Sequence, residues 1–183
     1  MMEVTNTELD GLLLLQPRIF TDERGRFHET FNQRRFAEAT GLDVSFVQDN
    51  ESRSHRKVLR GLHFQVPPFA QGKLVSVVKG AVLDVCVDIR PHSPTVGRHI
   101  KVHLDANERT MLWVPPGFAH GFVALEDDTV FAYKCTAYYH PASERTIRWN
   151  DPELAIDWGV EHPVVSAKDA EGMPFTTYRQ AVQ

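Results

Sequence analysis

The feature of this sequence that most restricts its fold is a series of short segments, rich in β-branched and aromatic residues, between residues 45 and 139. Segments of this length and composition are typical of β-strands. The turn residues between them, such as Lys79-Gly80 and Asp127-Asp128, are few enough for antiparallel hairpins and meanders. The pattern predicts an all-β domain, either a sandwich or a jelly-roll barrel. The predicted strands are SFVQDN, VLRGLHFQ, KLVSVVKG, AVLDVCVDI, RHIKVHL, RTMLWVP, GFAHGFVAL and TVFAYKCTAYY.

The two ends of the chain differ from this central part. Residues 12–20 and 25–32 are short extended runs, and the helix candidate Gln33 to Thr40 follows them, with Gly41 at the position where a C-cap favours glycine. After residue 140, four prolines argue against long regular elements. The 183 residues, 42% of them hydrophobic, contain no internal repeat and no linker. We therefore expect one domain over residues 1–183, with a few short peripheral helices.

Composition argues against several kinds of partner and location. Twenty Lys and Arg against 24 Asp and Glu give a net charge of −4, so no overall positive field attracts nucleic acid or anionic membrane. Cys86 and Cys135 both lie in apolar runs, without the spacing of a disulfide scaffold or a zinc site, and are expected to be small core residues. Four leucines preceded by acidic residues make neither a signal peptide nor a membrane span, and we expect a cytoplasmic location.

The segment VLRGLHFQ contains two cationic or titratable residues inside an otherwise apolar strand. Strict alternation would put Arg60 and His63 on opposite faces, because their positions differ by an odd number. Gly61 between them favours a β-bulge, which would bring both side chains to the same side. Two interpretations follow. Either His63 is a hydrogen-bonded core residue and Arg60 an edge residue, or both line the mouth of a barrel.

Four further polar residues in predicted strands leave similar alternatives. Lys73 shares a strand face with Val75 and Val77, so its ammonium points either into the interior or into solvent at the strand end. Asp84 lies opposite the apolar face of its strand, which favours a solvated position. His120 follows a Pro-Pro-Gly turn that would fix its direction. Tyr133 is predicted to be at least a buried phenol that needs a hydrogen-bonding partner.

The spacing of potential ligands argues against a metal site. Jelly-roll barrels often hold a metal through a His-x-His pair, a carboxylate and a later histidine, but LHFQ supplies one histidine. The other pair, His99 and His103, shares its strand parity with Lys101, which would repel a cation. We therefore predict that the protein holds no metal.

Taken together, these segments resemble the dTDP-4-dehydrorhamnose 3,5-epimerase family of cupin-type sugar-nucleotide epimerases. The resemblance extends over nearly the whole chain, and ten motifs in register make it specific. A departure is SHRKVLRG, where the family favours a small glycine near Lys57, and another is the Pro-Pro of VPPFAQGK. The matching motifs are FTDERGRFHETFN, FVQDNESRS, VLRGLHFQ, QGKLV, DVCVDIR, SPTVG, PPGFAHGF, YKCTAYYHPASE, WNDPELAIDW and SAKD.

The resemblance implies a cupin-like double-stranded β-helix and an isomerase that inverts C3 and C5 of dTDP-4-dehydro-6-deoxy-D-glucose in dTDP-L-rhamnose biosynthesis. It implies that His63 removes the proton, that Asp169 orients the imidazole, and that Lys73 faces the enolate oxygen. Tyr133 would return the proton from the opposite face. His120 and Asp84 would support the site. No cofactor is expected, because the keto group is part of the substrate.

The resemblance also implies how the nucleotide and a second subunit are bound. Arg24 and Arg60 would hold the diphosphate through paired hydrogen bonds, and Tyr139 would stack on thymine. The family forms a homodimer that exchanges N-terminal strands, about residues 1–50, while an irregular segment from about 140 to 183 packs on the barrel. Arg24, Phe27 and Glu29 would reach the partner's site. Further substrate contacts would come from Gln48, Asn50, Glu29, Glu144 and Lys168.

Three other functions share parts of this pattern. A related epimerase acting only at C3 or only at C5 would use the same His63, Lys73 and Tyr133, although SPTVG and the continuous motifs favour the double epimerase. A sugar-nucleotide-binding barrel without catalysis is disfavoured, because a mere binder needs no acid and base together. A metal-dependent cupin oxygenase is disfavoured by the number of potential ligands.

Overall fold

The computed structural model describes residues 2–182, which form thirteen strands, three short α-helices and one 3-10 turn at Pro141–Ser143. The helices are α1 Gln33–Thr40, α2 Ala167–Ala170 and α3 Phe175–Ala181. The strands are β1 Glu3–Asn6, β2 Leu13–Gln16, β3 Ile19–Asp22, β4 Gly25–His28, β5 Gln48–Ser54, β6 Leu59–Gln65, β7 Lys73–Lys79, β8 Ala81–Asp88, β9 His99–Asp105, β10 Met111–Val114, β11 Phe118–Ala124, β12 Thr129–Cys135 and β13 Glu144–Thr146.

The strands form two large sheets and one separate hairpin. The six-stranded sheet has the order β1-β2-β10-β7-β12-β5, and the five-stranded sheet has the order β13-β6-β11-β8-β9. Within each sheet the neighbouring strands are antiparallel, and β3 pairs only with β4. From β5 to β13, successive strands alternate between the two sheets, except that β8 and β9 are neighbours in one sheet, and such alternation is typical of a jelly roll. The predicted all-β jelly-roll fold is confirmed.

The two large sheets enclose an apolar core at one end of the interior. Val75 and Val77 of the six-stranded sheet pack with Val82 and Cys86 of the five-stranded sheet in one buried cluster. Alternate residues of each strand point inward, which is why the positions within each strand differ by an even number. Cys86 and Cys135 are both buried free thiols, as predicted. The other end of the interior is lined by polar side chains and holds the candidate site.

Separate clusters cover the outer face of each sheet. The C-terminal segment places Leu154, Trp158 and Phe175 in a buried cluster with Val85 and Val87 of β8. Helix α1 inserts Phe36 against Leu15 and Trp113 on the outer face of the six-stranded sheet. Each sheet is therefore packed on both faces, which holds the strands of the site in fixed positions.

Predicted and observed elements agree best where the apolar pattern is strong. Helix α1 has the predicted bounds, with Gly41 left-handed at φ 71° and its N–H bonded to the Ala37 carbonyl. The predicted strand SFVQDN is displaced, because β5 runs from Gln48 to Ser54 and contains no apolar residue. Strands β1 and β13 and helices α2 and α3 were not predicted. Within residues 2–182, no helix has the length and apolarity that a membrane span requires.

The predicted β-bulge at Gly61 is present. In the pairing of β6 with β11, His120 lies opposite His63 while Phe122 lies opposite Arg60, so β6 contains one extra residue. Gly61 has φ 127°, and a Cβ at this position would come within 2.5 Å of the Gly121 Cα. Only glycine fits such a conformation and such a close approach. The extra residue turns Arg60 toward the same side of the sheet as His63.

Candidate active site

The polar end of the interior forms a pocket of about 240 Å³ between the two sheets. The wall formed by the five-stranded sheet contributes His63 and Gln65 from β6 and Glu144 from β13. The facing wall contributes Lys73 from β7 and Tyr133 from β12. The complete lining is Gln48, Asn50, His63, Phe64, Gln65, Gln71, Lys73, Tyr133, Tyr139 and Glu144.

A histidine–carboxylate pair stands on the five-stranded side. The Nε2 atom of His63 lies 2.6 Å from Oδ1 of Asp169, which α2 presents after its N-cap Ser166. Burial acts to raise the pKa of Asp169, but the hydrogen bond and charge of His63, together with hydrogen bonds involving Gly61 and Ser166, outweigh it and hold the pKa below its usual value. The His63 side chain is 29% exposed and lines the pocket. This arrangement can accept a proton and stabilise the resulting imidazolium.

An ammonium and a phenol stand on the opposite wall. Lys73 pairs across the sheet with Cys135, two residues along β12 from Tyr133, so all three point inward. Burial lowers the pKa of Lys73, although nearby acidic groups such as Asp84 and Glu144 oppose it. Burial likewise raises the pKa of Tyr133, which keeps the phenol protonated at neutral pH. The interior alternative for Lys73 is therefore correct.

The expected solvated position of Asp84 is wrong. Asp84 is fully buried, because the inward face of β8 closes the polar end of the interior instead of facing water. Its carboxylate oxygens lie 2.9 and 3.0 Å from Nε2 of His120, which is itself buried on β11. A buried carboxylate requires such a partner. Asp84 and His120 thus form a second histidine–carboxylate pair behind the first.

Asp84, His120 and Cys86 also have potential metal-ligating atoms within 4.8 Å of one another. Carboxylate, imidazole and thiolate are the ligands that zinc prefers. Burial and the neighbouring Asp84 raise the pKa of the Cys86 thiol well above its usual value, which keeps it protonated, and the other two groups are bonded to each other. The cluster therefore lacks the free, deprotonated ligands that a cation would need. The expected absence of a metal stays a prediction.

Arg60 lies at the mouth of the interior. Its Nε atom donates a 3.2 Å hydrogen bond to Oγ of Ser54 on the six-stranded sheet, and its charge acts to lower the pKa of Tyr133. Arg60 is nevertheless exposed to solvent, and it forms no salt bridge within residues 2–182. An exposed, unpaired guanidinium beside the pocket is free to bind an anion.

A chain of polar contacts borders the other side of the mouth. The Tyr139 hydroxyl donates to Glu144 at 2.8 Å, and the Lys168 ammonium lies 2.6 Å from the same carboxylate oxygen. Burial works to raise the pKa of Glu144, but these hydrogen bonds outweigh it and lower the pKa. Gln48 donates to Asn50 at 3.0 Å on the facing wall. The predicted residues Gln48, Asn50, Tyr139, Glu144 and Lys168 are thus brought together.

Three predicted residues lie away from this pocket. Arg24 is in the turn of the β3–β4 hairpin, paired with Asp22 at 2.6 Å, and its side chain is 84% exposed. Phe27 is 70% exposed on β4, and Glu29 pairs with Arg35 at 3.2 Å. Within one chain these residues form no part of the pocket lining around His63.

Gln65 and Gln71 also line the pocket, although neither was predicted as a site residue. The signal for Gln65 was available, because it lies two residues from His63 and so on the same strand face. The role of SPTVG was missed as well. Ser93 and Thr95 of this loop bond to the buried Asp88 carboxylate, together with Arg90, so the loop closes the end of β8.

These features define the protein's class: a jelly-roll enzyme whose pocket holds acid–base groups on two facing walls. The comparison with family models then identifies the family. The model described as dTDP-4-dehydrorhamnose 3,5-epimerase matches residues 6–177. The chain belongs to the dTDP-4-dehydrorhamnose 3,5-epimerase family.

Known proteins similar to this chain support that membership. The dTDP-4-dehydrorhamnose 3,5-epimerase of Escherichia coli (strain K12) is 54% identical over 157 residues, which cover 86% of this chain and 85% of the relative. The crystal structure of dTDP-6-deoxy-D-glucose-3,5-epimerase from Legionella pneumophila Philadelphia 1, in complex with dTDP-4-keto-L-rhamnose, is 49% identical. It has a TM-score of 0.92 and the match covers 96% of this chain and 94% of that one.

A more distant structural relative is named as an epimerase of a single position. A 3'-monoepimerase from Streptomyces bikiniensis, in complex with dTDP-quinovose, is 36% identical with a TM-score of 0.90. The match covers 96% of this chain and 89% of that chain. The fold alone therefore does not separate double from single epimerases.

Proposed function

We propose that this protein inverts C3 and C5 of dTDP-4-dehydro-6-deoxy-D-glucose to give dTDP-4-dehydro-L-rhamnose, in dTDP-L-rhamnose biosynthesis. Family membership supports the reaction class, and relatives about 50% identical to this chain are named as 3,5-epimerases. The observation that most supports the mechanism is the placement of His63 and Tyr133 on facing walls of one pocket. Inversion requires a proton to leave one face of the sugar and return to the other.

His63 is the base in this mechanism. The 4-keto group acidifies the C–H bonds at C3 and C5, yet they remain too weakly acidic for water to remove the proton quickly. The His63 Nε2 is held by Asp169 at 2.6 Å, and the side chain lines the pocket. The Asp169 carboxylate then stabilises the imidazolium that forms.

Lys73 stabilises the negative oxygen of the enolate. An ammonium stabilises a nearby negative charge more strongly in a water-poor site than in bulk solvent. One such donor typically lowers the reaction barrier by about 3 to 4 kcal/mol. Lys73 forms no salt bridge within residues 2–182, so its charge is not already neutralised by a carboxylate. His120 and Asp84 support this part of the pocket from behind.

Tyr133 is the acid that protonates the opposite face. A phenol with a raised pKa is neutral at pH 7 and retains a proton to donate to the enolate carbon. Since Tyr133 belongs to the six-stranded sheet and His63 to the five-stranded sheet, a ketosugar between them is approached from two sides. No cofactor is needed in this mechanism.

The nucleotide occupies the mouth of the pocket. Tyr139 stacks on thymine through its exposed ring, and Arg60 binds the diphosphate, which supplies the counter-ion that this arginine lacks in the free protein. Further contacts come from Gln48, Asn50, Glu144 and Lys168 of the same chain and from Arg24, Phe27 and Glu29 of a second subunit.

The second subunit enters through the β3–β4 hairpin. This hairpin pairs with no other strand of residues 2–182 and exposes Phe20 and Phe27, and a two-stranded hairpin is marginally stable alone. We therefore propose a homodimer in which N-terminal residues of about 1–50 are exchanged and carry Arg24 into the partner's site. The single-domain organisation with a packed C-terminal segment, and the cytoplasmic location, also remain proposals.

Mixed dimers test this exchange. Arg24→Ala and His63→Ala homodimers should each be nearly inactive, because every site lacks one group. Mixing and re-forming the dimers should restore activity, since one site of each heterodimer then contains both residues. If the mixture stays inactive while size-exclusion chromatography of tagged chains shows heterodimers, Arg24 does not act across the dimer.

The overall function is tested by incubating the protein with dTDP-4-dehydro-6-deoxy-D-glucose in D₂O and following C3 and C5 by NMR. Deuterium at both carbons, with formation of the L-sugar, supports the double epimerase. Label at one carbon alone would instead identify a single-position epimerase, the activity in the name of the 36% identical 3'-monoepimerase, which the relatives about 50% identical do not favour. No label at either carbon would identify a sugar-nucleotide binder.

A further inference from the structure

The segment 137–140, which contains Tyr139, is held by glutamine side chains instead of strand pairing. It follows β12 and precedes the 3-10 turn, and it lies outside every strand and helix. Gln71 donates from Nε2 to the Ala137 carbonyl at 2.7 Å, and Gln48 accepts at Oε1 from the Tyr139 N–H at 2.8 Å. The backbone that carries the Tyr139 ring is therefore held by the side chains of Gln48, from β5, and of Gln71, from the loop before β7.

Gln65 makes the largest number of these contacts. Its Nε2 donates to the carbonyls of Phe69, at 2.7 Å, and Tyr138, at 3.2 Å. Its Oε1 accepts from the His140 N–H at 2.7 Å. A primary amide has two N–H donors on one atom and a carbonyl acceptor on the other, which matches two carbonyls and one N–H. Gln65 is only 7% exposed, so these backbone groups depend on it and not on solvent.

We propose that Gln65 is a positioning residue for nucleotide binding, which fixes the Tyr139 ring against the thymine base. It holds the backbone on both sides of Tyr139, at residues 138 and 140, and ties this segment to the loop that contains Phe69. The Phe69 ring also stacks on the His140 ring with centroids 3.8 Å apart, so the two loops form one unit. This inference rests on the proposed contact of Tyr139 with the base.

Substitution of Gln65 by methionine tests the role, because Gln65→Met keeps the length of the side chain and removes all three hydrogen bonds. Calorimetry should show dTDP binding about tenfold weaker, as expected for unpaired buried backbone groups. Binding of the abasic 2-deoxyribose 5-diphosphate should be unchanged. For epimerisation, KM should rise with kcat nearly constant.

Gln65→Glu provides a readout that general destabilisation would not produce. Its carboxylate would face two carbonyl oxygens and repel them, whereas the protonated acid supplies one donor. The affinity of the Gln65→Glu variant for dTDP should therefore approach that of the native protein as pH falls from about 8 to about 5.5. This variant keeps the inference testable even if Gln65→Met does not fold.

Gln16 offers a matched control far from the pocket. Its amide also joins two segments, because it donates to the Glu108 carbonyl and accepts from the Thr110 hydroxyl. Gln16→Met should leave dTDP binding unchanged. If Tyr139→Ala weakens dTDP binding and Gln65→Met does not, or if Gln65→Met weakens both ligands equally, the positioning role is wrong. If Tyr139→Ala itself has no effect, the proposed base contact fails instead.

Discussion

His63 and His120 lie directly opposite each other across the β6–β11 pair, and each is bonded to a different carboxylate. His63 contacts Asp169, which comes from a helix outside the sheet, whereas His120 contacts Asp84 of the adjacent strand β8. His63 is partly open to the pocket, and His120 is buried. Two similar pairs therefore have different access to substrate, which predicts different roles.

Substitution of each histidine should separate these roles. We expect His63→Asn to reduce deuterium exchange at C3 and C5 by about 10³-fold or more, because it removes the base. His120→Asn should lower the rate and leave exchange at both carbons measurable, because the buried imidazole supports its neighbours. NMR in D₂O measures both rates. Equal loss of exchange in the two variants would contradict the assignment of a single base.

Lys73 should show opposite effects on activity and stability. Lys73→Met removes the charge that stabilises the enolate, so kcat should fall about 10²- to 10³-fold. The same change removes a buried ammonium that lacks a salt bridge within residues 2–182, so the free energy of unfolding should stay equal or rise.

The control for this change is Lys101→Met. Lys101 is an exposed lysine, 3.3 Å from Asp157, far from the pocket. Its substitution should leave kcat unchanged and alter the unfolding free energy in urea by less than about 1 kcal/mol. A Lys73→Met protein that is active, or that is clearly less stable than the native chain, would show that Lys73 has a structural role.

Asp88 should make part of the stability depend on acid pH. Burial works to raise its pKa, but hydrogen bonds from Arg90, Ser93 and Thr95 outweigh this and lower the pKa to about 2. A carboxyl whose pKa is depressed in the folded state stabilises the fold above its unfolded pKa, near 3.8, and loses this contribution as pH falls toward 2. This pKa shift corresponds to a contribution of about 2 kcal/mol to the free energy of unfolding.

Urea denaturation of the native chain and of Asp88→Asn measures this contribution. The difference in unfolding free energy between them should fall by about 2 kcal/mol between about pH 5 and about pH 2. Other carboxyl groups also titrate in this range, and comparison with the variant cancels their effect. A difference that does not change with pH would contradict the proposed network around the SPTVG loop.

The sequence predicted the fold well because most strands are apolar and alternate. Helix α1 was predictable from its pattern and from Gly41, and the bulge in β6 from Gly61. Strand β5 was displaced because it is entirely polar, and it forms by pairing with β12. Pairing with a distant strand cannot be predicted from local composition.

The site was predictable in its residues but not in its three-dimensional grouping. Asp84 alternates with apolar residues along β8, a pattern typical of a solvent-facing position. Its face of the strand is buried only because the six-stranded sheet covers it. Asp169 is 106 residues from His63, and α2, which positions it, is too short for a sequence pattern to predict. Arg24 and Phe27 cannot be grouped with His63 within one chain, since a second subunit would bring them there.

Tyr133→Phe tests most directly whether protons leave and return on opposite faces. Deuterium exchange and formation of the L-sugar are followed together by NMR in D₂O, with Tyr178→Phe as the control. Tyr178 donates its hydroxyl to the Ile89 carbonyl at 3.1 Å, away from the pocket. Tyr133→Phe should still exchange protons but form inverted product about 10²-fold more slowly. Inversion of both carbons at the native rate would contradict the account.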